Sequence, residues 1–347
     1  MHQRHQRRHD TQPLDLKRKR RAKFPGHQAY EFKKRISGGA DAEVELRVLN
    51  REKLTTQEKR CHTWVDKVAV KKIDWTFNFR SVKQNMDKEM KVVDMVSGHT
   101  LFPEVYETRI DYRNKESFIY MEVAPMSLDY YISVQPLPVK LVKSYMRQLL
   151  MALEYLHNKN ILHGDVKPGN ILIYSDGRLQ LTDFNRSHMN FQEHGSETLI
   201  ESTYIYMAPE VLMQKSGYTF STDLWSAGLV MLEMCLGYRF NSTYEFCILY
   251  NYAKILGRPP KQFLTSRILR CLFSLICKDS RHQTMEGKEW GLPKEYEHTE
   301  ASSFLHALFH WDPKERPTAS DLLKHPFINT KWLIAPQHHQ LPKPLNF

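Results

Sequence analysis

The apolar and polar positions of the chain repeat with two different periods, and these periods predict where strands and helices lie. Residues 68–73 are rich in β-branched side chains, which predicts a strand. Apolar residues recur at spacings of three and four in residues 82–96 and 141–156, which predicts two amphipathic helices. Two short apolar runs flank Asp176 and Gly177, and this pattern predicts a tight β-hairpin.

The predicted hairpin brings together polar residues at its two ends. Asn170 enters its first strand and Asp183 leaves its second, so an antiparallel hairpin places them side by side. Asp165 lies a short loop before Asn170. Mg²⁺ takes a few oxygen ligands from the protein and completes its shell with phosphate oxygens and water. The sequence therefore predicts a Mg²⁺ site held by Asn170 and Asp183.

Three motifs follow one another in this region. They are His-Gly-Asp-Val-Lys-Pro-Gly-Asn at residues 163–170, Asp-Phe-Asn at 183–185 and Ala-Pro-Glu at 208–210. Their order and spacing resemble those of the eukaryotic protein kinases, whose patterns are H-R-D-x-K-x-x-N, D-F-G and A-P-E. Gly164 replaces the arginine of the first pattern, and Asn185 replaces the glycine of the second. With its flanking motifs the resemblance covers about residues 30–327.

The resemblance implies an α+β, bilobal kinase fold over residues 30–328. A small β-rich N-terminal lobe would cover about residues 30–121, and a larger, mainly helical C-terminal lobe about residues 125–328. The implied activity is transfer of the γ-phosphate of Mg-ATP to serine and threonine hydroxyls of a protein substrate. Lys167 and Thr203 resemble serine/threonine kinases more than tyrosine kinases.

The resemblance also assigns roles to individual side chains. Asp165 would orient the substrate hydroxyl and accept its proton, and Lys167 would steady the γ-phosphate. Lys71 would contact the α and β phosphates and pair with Glu89. Residues 36–39 would cover the phosphates, although only Gly39 occupies a motif glycine position. The residues assigned to ATP are Ile36, Ser37, Gly38, Gly39, Val44, Ala69, Lys71, Glu89, Met121, Glu122, Ala124 and Leu172.

Two structural contacts and one regulatory property are expected from the same resemblance. Asp223 would brace the backbone of the catalytic loop, and Arg316 would form an ion pair with Glu210. Because Gly164 has no side chain to bind a phosphate, activity should depend little on phosphorylation of the activation segment. The candidate phosphorylation sites there are Ser196, Thr198 and Ser202.

The subfamily is indicated by a second region. Residues 250–262, which include Ile-Leu-Gly-Arg-Pro-Pro, resemble the insertion of the group that contains the cyclin-dependent and mitogen-activated kinases. Met207 occupies the position where that group has an arginine tied to proline-directed substrates. Proline direction is therefore not expected.

One alternative function remains open at this point. A pseudokinase would keep the fold, act as a scaffold and bind nucleotide without transferring phosphate. The substituted glycine loop, Gly164 and Asn185 favour it. The complete set of charged motif residues favours an active enzyme, because a scaffold has no physical need to keep that set.

Charge adds a further expectation about partners. The chain of 347 residues has a formal net charge of +11, and residues 1–23 hold nine lysines and arginines against two aspartates. This charge predicts that residues 1–29 form a basic, disordered arm, and residues 329–347 are expected to form a C-terminal tail. The arm would bind an import receptor or nucleic acid, or act only as a solubilising tail. A regulatory subunit is a further candidate partner.

Composition excludes several other classes of protein. No apolar run reaches the roughly 18 to 20 residues needed to span a bilayer, and the first residues do not resemble a secretory signal. The five cysteines contain no C-x-x-C pair, so neither a disulfide framework nor a zinc site is indicated. These features predict a soluble protein of the nucleus, the cytoplasm or both, with no membrane partner.

Overall fold

A computed structural model describes residues 23–38, 42–60, 64–74, 79–191, 204–213, 217–237, 245–264, 270, 273, 292–296 and 299–329. Five sets of predictions lie outside these ranges: those for the arm up to residue 22, for Gly39, for the candidate phosphorylation sites Ser196, Thr198 and Ser202, for Thr203, and for the tail from residue 330. Within the described ranges the protein has the α+β, bilobal architecture expected from its motifs, with a β-sheet in the first part and helices in the second.

The first lobe is built on a five-stranded antiparallel sheet. Its elements are β1 Tyr30–Gly38, β2 Glu43–Leu49, β3 Lys67–Asp74, α1 Phe79–Val96, β4 Val105–Asp111 and β5 Glu116–Met121. The strands lie in the order β1-β2-β3-β5-β4, and helix α1 connects β3 to β4. Side chains alternate along β3, so Val68 and Val70 pack on an outer aromatic cluster while Ala69 and Lys71 face the other lobe.

The described part of this lobe begins before residue 30, the boundary expected from the sequence. Phe24 stacks on Tyr30 and Tyr106 with ring centroids 5.2 and 5.6 Å apart. His27 also binds Glu107 through its backbone nitrogen and its Nδ1 atom, at 3.0 and 2.6 Å. Residues 24–29 therefore cover the outer face of the sheet, because that face is apolar and would otherwise be exposed to water.

The second lobe is mainly helical. A small sheet of β6 (Met126–Ser127), β7 (Ile171–Ile173) and β8 (Leu179–Leu181) lies at its top, and β7 and β8 form the predicted hairpin. The helices are α2 Leu128–Val134, α3 Val139–His157, α4 Pro209–Leu212, α5 Phe220–Leu236, α6 Glu245–Leu256, α7 Ala301–Leu308 and α8 Ala319–Leu322. Both amphipathic helices predicted from spacing are thus present, as α1 and α3.

Helix α5 forms the centre of this lobe and is buried along almost its whole length. Trp225 on α5 makes edge contacts with the rings of Tyr252 and Phe309, at centroid distances of 4.8 and 4.9 Å. The expected ion pair between Arg316 and Glu210 lies against the same tryptophan: Arg316 Nη1 and Nη2 are 2.7 and 2.6 Å from Glu210 Oε1 and Oε2. This buried core fixes the loops at the top of the lobe. No helix in the described part of the chain is long and apolar enough to cross a membrane.

Candidate active site

A cavity of about 690 Å³ lies between the sheet of the first lobe and the hairpin of the second. Every residue predicted for nucleotide, metal or catalysis lines it, apart from Gly39, which lies outside the described residues. The lining includes Ile36, Ser37, Gly38, Val44, Ala69, Lys71, Glu89, Met121, Glu122, Ala124, Asp165, Lys167, Asn170, Leu172 and Asp183. Residues separated by up to 147 positions in the sequence, Ile36 to Asp183, are therefore brought to one cleft.

Three charged side chains contact one another at the cavity. Lys71 Nζ lies 2.6 Å from Glu89 Oε1 on α1 and 2.7 Å from Asp183 Oδ1 after β8, so the expected pairing of Lys71 with Glu89 is confirmed. Burial alone would lower the pKa of Lys71, but the charges of Asp183 and Glu89 outweigh it and raise that pKa. Burial likewise opposes the charge of Asp183, yet Lys71 lowers its pKa to about 2. Lys71 and Asp183 are both charged at neutral pH.

The backbone around Asp183 holds its carboxylate toward the cavity. Asp183 has φ of 70°, a left-handed conformation that is uncommon for residues other than glycine. The next side chain, Phe184, is buried in the core, with its ring 5.8 Å from that of Phe102 and 5.5 Å from that of His163. Burial of Phe184 therefore sets the direction in which Asp183 points, and packing offsets the local strain.

The catalytic loop presents a second charged cluster. Asp165 is buried, and its Oδ2 atom accepts hydrogen bonds from Lys167 Nζ at 2.6 Å and from Asn170 Nδ2 at 3.0 Å. The Nδ2 atom of Asn170 also donates to the backbone carbonyl of Asp165, at 2.9 Å. Since the amide nitrogen of Asn170 is held by Asp165, the amide oxygen is the atom presented for a cation.

The expected brace between Asp223 and the catalytic loop is also present. Asp223 Oδ1 accepts from Gly164 N at 2.9 Å, and its Oδ2 accepts from His163 N at 3.0 Å. His157 Nε2, at the end of α3, lies 2.9 Å from the same Oδ2. Burial opposes the charge of Asp223, but the hydrogen bond and charge of His157 outweigh it and lower the pKa of Asp223. Helix α5 thereby fixes two successive backbone amides just before Asp165.

The donor set of the cavity fits Mg²⁺ bound together with a nucleotide. Asp183 offers a carboxylate that is one-third exposed to the cavity, and Asn170 offers an amide oxygen. No group of three or more His, Cys, Asp or Glu side chains arranged for a metal occurs among the described residues. An ion held here needs ligands from another molecule, which is how Mg²⁺ binds with phosphates.

The far end of the cavity suits a flat, apolar base. Val44 and Ala69 on the sheet and Leu172 on the hairpin line it from opposite sides. The backbone nitrogen of Glu122 donates to Glu104 O at 2.9 Å, so its carbonyl is the group that remains for a base. Ala124 follows on the same connecting segment. These residues line the part of the cavity to which the resemblance assigns the adenine base.

Gly38 has a packing role that its motif position did not indicate. The guanidinium of Arg35 lies over Gly38, so that a Cβ atom there would overlap Arg35 Nη2. Arg35 Nε is also 3.0 Å from Glu43 Oε1, across the β1–β2 hairpin. A side chain at position 38 would displace the guanidinium, which is the far end of a flexible and exposed side chain and can move aside.

Several lining residues were not identified from the sequence. Asp129 lies in the first turn of α2, which Ser127 caps by accepting from Tyr130 N at 3.3 Å. The serine followed by an apolar helix is a signal for such a cap. Arg186, directly after the Asp-Phe-Asn motif, also lines the cavity, as do Val105, Ile119 and Thr182.

Comparison with known proteins gives a consistent result. Residues 56–328 match the family model described as protein kinase domain. The mitogen-activated protein kinase SLT2/MPK1 of Saccharomyces cerevisiae is 28% identical over 274 residues, which cover 76% of this chain and 56% of that protein. The mitogen-activated protein kinase mpkC of Aspergillus clavatus is 27% identical over 288 residues, covering 80% of this chain and 70% of that protein. The serine/threonine-protein kinase KDX1 of Saccharomyces cerevisiae is 29% identical over 274 residues, covering 76% and 62%. The chain thus spans little more than half the length of SLT2/MPK1.

Proposed function

Because the chain belongs to the protein kinase family and is related to the mitogen-activated kinases, we propose that it is an active protein serine/threonine kinase. It would transfer the γ-phosphate of ATP to hydroxyl groups of protein substrates. The observation that carries this proposal is the meeting of two charged clusters in one cavity. Lys71, Glu89 and Asp183 form the first, and Asp165 with Lys167 belongs to the second.

Each cluster has a distinct task in phosphoryl transfer. Lys71 holds a positive charge where the α and β phosphates would lie, and Glu89 keeps its side chain in place. Asp183 and Asn170 would hold Mg²⁺. When bound, that ion offsets negative charge on the phosphates and on the transferring group.

The second cluster acts on the acceptor. Asp165 orients the substrate hydroxyl and accepts its proton as the new bond to phosphorus forms. Lys167 Nζ, 2.6 Å from Asp165, places a positive charge beside the γ-phosphate as charge redistributes. A lysine at this position also favours serine and threonine as acceptors, by the resemblance to that class of kinase.

The two departures from the family motif are compatible with this chemistry. Gly164 has φ of 78°, which glycine adopts without the steric cost borne by other residues. Its amide still donates to Asp223, so the loop is braced without the missing arginine. Asn185 lines the cavity, and the preceding Asp183 keeps its contact with Lys71.

The test measures Mg²⁺-dependent transfer of labelled γ-phosphate to the chain itself and to generic acidic, neutral and basic proteins. Asp165→Ala should abolish transfer while nucleotide binding is retained. Asp66→Ala is the matched control, because Asp66 is an exposed carboxylate of the first lobe that does not line the cavity. Nucleotide binding without transfer by the wild-type chain, across all acceptors, would contradict the proposal and favour the pseudokinase.

A further inference from the structure

A short turn at residues 204–207 is held by side chains of the helical lobe to which phosphoryl transfer assigns no role. It begins as a single 3₁₀ turn, Tyr204–Tyr206, and Met207 N donates to Tyr204 O at 3.1 Å. The side chain of Tyr204 is exposed, whereas those of Tyr206 and Met207 are buried. One side of the turn therefore faces water, and the other side faces the core of the lobe.

Tyr252 on α6 contacts both ends of this turn. Its hydroxyl oxygen lies 3.0 Å from Ile205 O and 2.9 Å from Met207 O, so its one proton is shared between two carbonyls. The buried ring packs edge-on against Trp225 of α5, at a centroid distance of 4.8 Å. Burial raises the pKa of Tyr252, so the hydroxyl keeps its proton and remains a donor. The core thus sets the direction in which this hydroxyl points.

Helix α5 contacts the middle of the same turn. Ser226 Oγ lies 2.8 Å from Tyr206 O, and Tyr206 OH donates to Glu233 Oε2 at 3.0 Å. The three successive carbonyls of residues 205–207 are therefore each within hydrogen-bond distance of a hydroxyl group from α5 or α6. These contacts fix the backbone of the turn from its buried side.

Helix α5 also sets the position of the turn relative to the catalytic loop. Asp223 and Ser226 are three residues apart on α5, so they share one face of the helix, with their Cβ atoms about 5–6 Å apart. Asp223 accepts from the amides of His163 and Gly164, directly before Asp165. The turn and the catalytic loop are thus held side by side. The residues that flank an acceptor hydroxyl at Asp165 lie within reach of the turn, since an extended chain advances about 3.3 Å per residue.

We propose that Tyr252 is a positioning residue of the acceptor site, whose hydroxyl holds residues 204–207 in the shape that a protein acceptor needs. The inference rests on the proposed kinase activity and concerns its regulation. A phosphate orders a segment by pairing with cations, and Gly164 has no side chain for that purpose. The hydroxyl groups of Tyr252 and Ser226 are neutral donors that need no phosphate. The turn is therefore formed before residues 192–203 are phosphorylated.

The test removes a single oxygen atom. Tyr252→Phe keeps the buried ring and leaves two carbonyls of the turn without this donor. Tyr296→Phe is the matched control, because the hydroxyl of Tyr296 is in the same lobe, is buried and donates to a backbone carbonyl, Leu137 O, at 2.8 Å. Neither Tyr296 nor Leu137 lines the cavity. The two variants should lose similar stability in urea unfolding, so a difference in activity between them reports on the turn.

The kinetic readout is the KM for the acceptor. The full chain is treated with phosphatase, which is then removed, and initial rates are measured with the generic acceptor protein that the wild type phosphorylates best. Tyr252→Phe should raise the KM for this acceptor about tenfold, the effect of one net hydrogen bond on an equilibrium. The kcat and the KM for ATP should stay within about twofold, because the turn binds the acceptor and not the nucleotide. Tyr296→Phe should leave all three constants within about twofold.

Hydrogen exchange followed by mass spectrometry examines the turn without any reaction. In the phosphatase-treated wild type, fragments that cover residues 204–207 should be protected from exchange. Tyr252→Phe should speed exchange in these fragments, and Tyr296→Phe should not. A turn that is unprotected in the wild type, or one that exchanges no faster in Tyr252→Phe, would overturn the inference.

The two readouts separate failure of this inference from failure of the proposed function. An acceptor KM that changes no more in Tyr252→Phe than in Tyr296→Phe would overturn the role of Tyr252 and leave the kinase activity standing. Absence of transfer by the wild type would overturn the kinase activity. The affinity for the generic acceptor that binds most tightly, measured with a non-hydrolysable ATP analogue present, would then replace KM. A loss of affinity confined to Tyr252→Phe would support its role at the turn, and equal affinities would overturn it.

Discussion

Asp223→Asn tests whether the core of the second lobe holds the catalytic loop in place. The carboxylate accepts hydrogen bonds from His163 N and Gly164 N, one on each oxygen, and His157 lies against it. Asparagine has one oxygen and one NH₂ group, so it can satisfy only one of the two backbone amides. The other buried amide would then face the NH₂ group of asparagine, which is also a donor, and would have no acceptor.

The size of the effect follows from these contacts. A buried amide left without an acceptor costs about 1–3 kcal/mol, and loss of the charged acceptor weakens the remaining bond as well. We expect Asp223→Asn to lower the free energy of unfolding by about 2–4 kcal/mol. The catalytic rate should fall at least about tenfold, because small displacements of catalytic groups have large effects on rate.

The pH dependence of this stability has a definite sign. The pKa of Asp223 is lower in the folded protein than in the unfolded chain. Its contribution to stability is therefore fully present above the unfolded value, about pH 4, and is lost as pH falls through the folded pKa. The difference in stability between wild type and Asp223→Asn should shrink below about pH 4.

Urea unfolding between pH 3 and pH 7 and steady-state phosphate transfer measure these effects. Asp66→Asn is the matched control, because Asp66 is an exposed aspartate and its substitution should change stability by less than about 0.5 kcal/mol. If Asp223→Asn matched that control in both stability and rate, the brace would have no role in holding the loop.

Three further predictions concern other parts of the chain. Arg316→Met should destabilise the protein by about 3–5 kcal/mol in urea unfolding, since it leaves Glu210 buried without its partner; a loss below about 1 kcal/mol would contradict this. Lys71→Met should weaken nucleotide binding in a calorimetric titration, whereas unchanged affinity would remove Lys71 from the phosphate site. Phosphatase treatment should leave the rate of transfer within about twofold, because Gly164 offers no side chain to a phosphate on residues 192–203; a large loss would show another phosphate-binding group.

The parts of the site that sequence predicted are those set by short-range patterns. The hairpin around Asp176 and Gly177 follows from turn chemistry, and it alone brings Asn170 and Asp183 to the same place. The pairing of Lys71 with a residue of α1 required the family motif, because neither helix position nor charge specifies a partner eighteen residues away.

The parts that sequence did not predict depend on long-range packing. The charge of the N-terminal segment indicated an arm up to residue 29, whereas Phe24 is held by stacking on Tyr30 and Tyr106, which lie on different strands. Arg186 was missed for a related reason. Its place at the cavity depends on Ser187 binding the catalytic loop, and no local sequence pattern predicts that contact.

The rate of a single turnover of γ-phosphate transfer in wild type and in Asp165→Asn tests directly whether Asp165 accepts the proton of the substrate hydroxyl. Asparagine keeps the size of the side chain but cannot accept the proton of the hydroxyl. With nucleotide affinity measured on both proteins, we expect a loss of about a hundredfold or more in the rate of transfer and little change in affinity. Equal rates in the two proteins would contradict the assignment of Asp165, and with it the proposed mechanism.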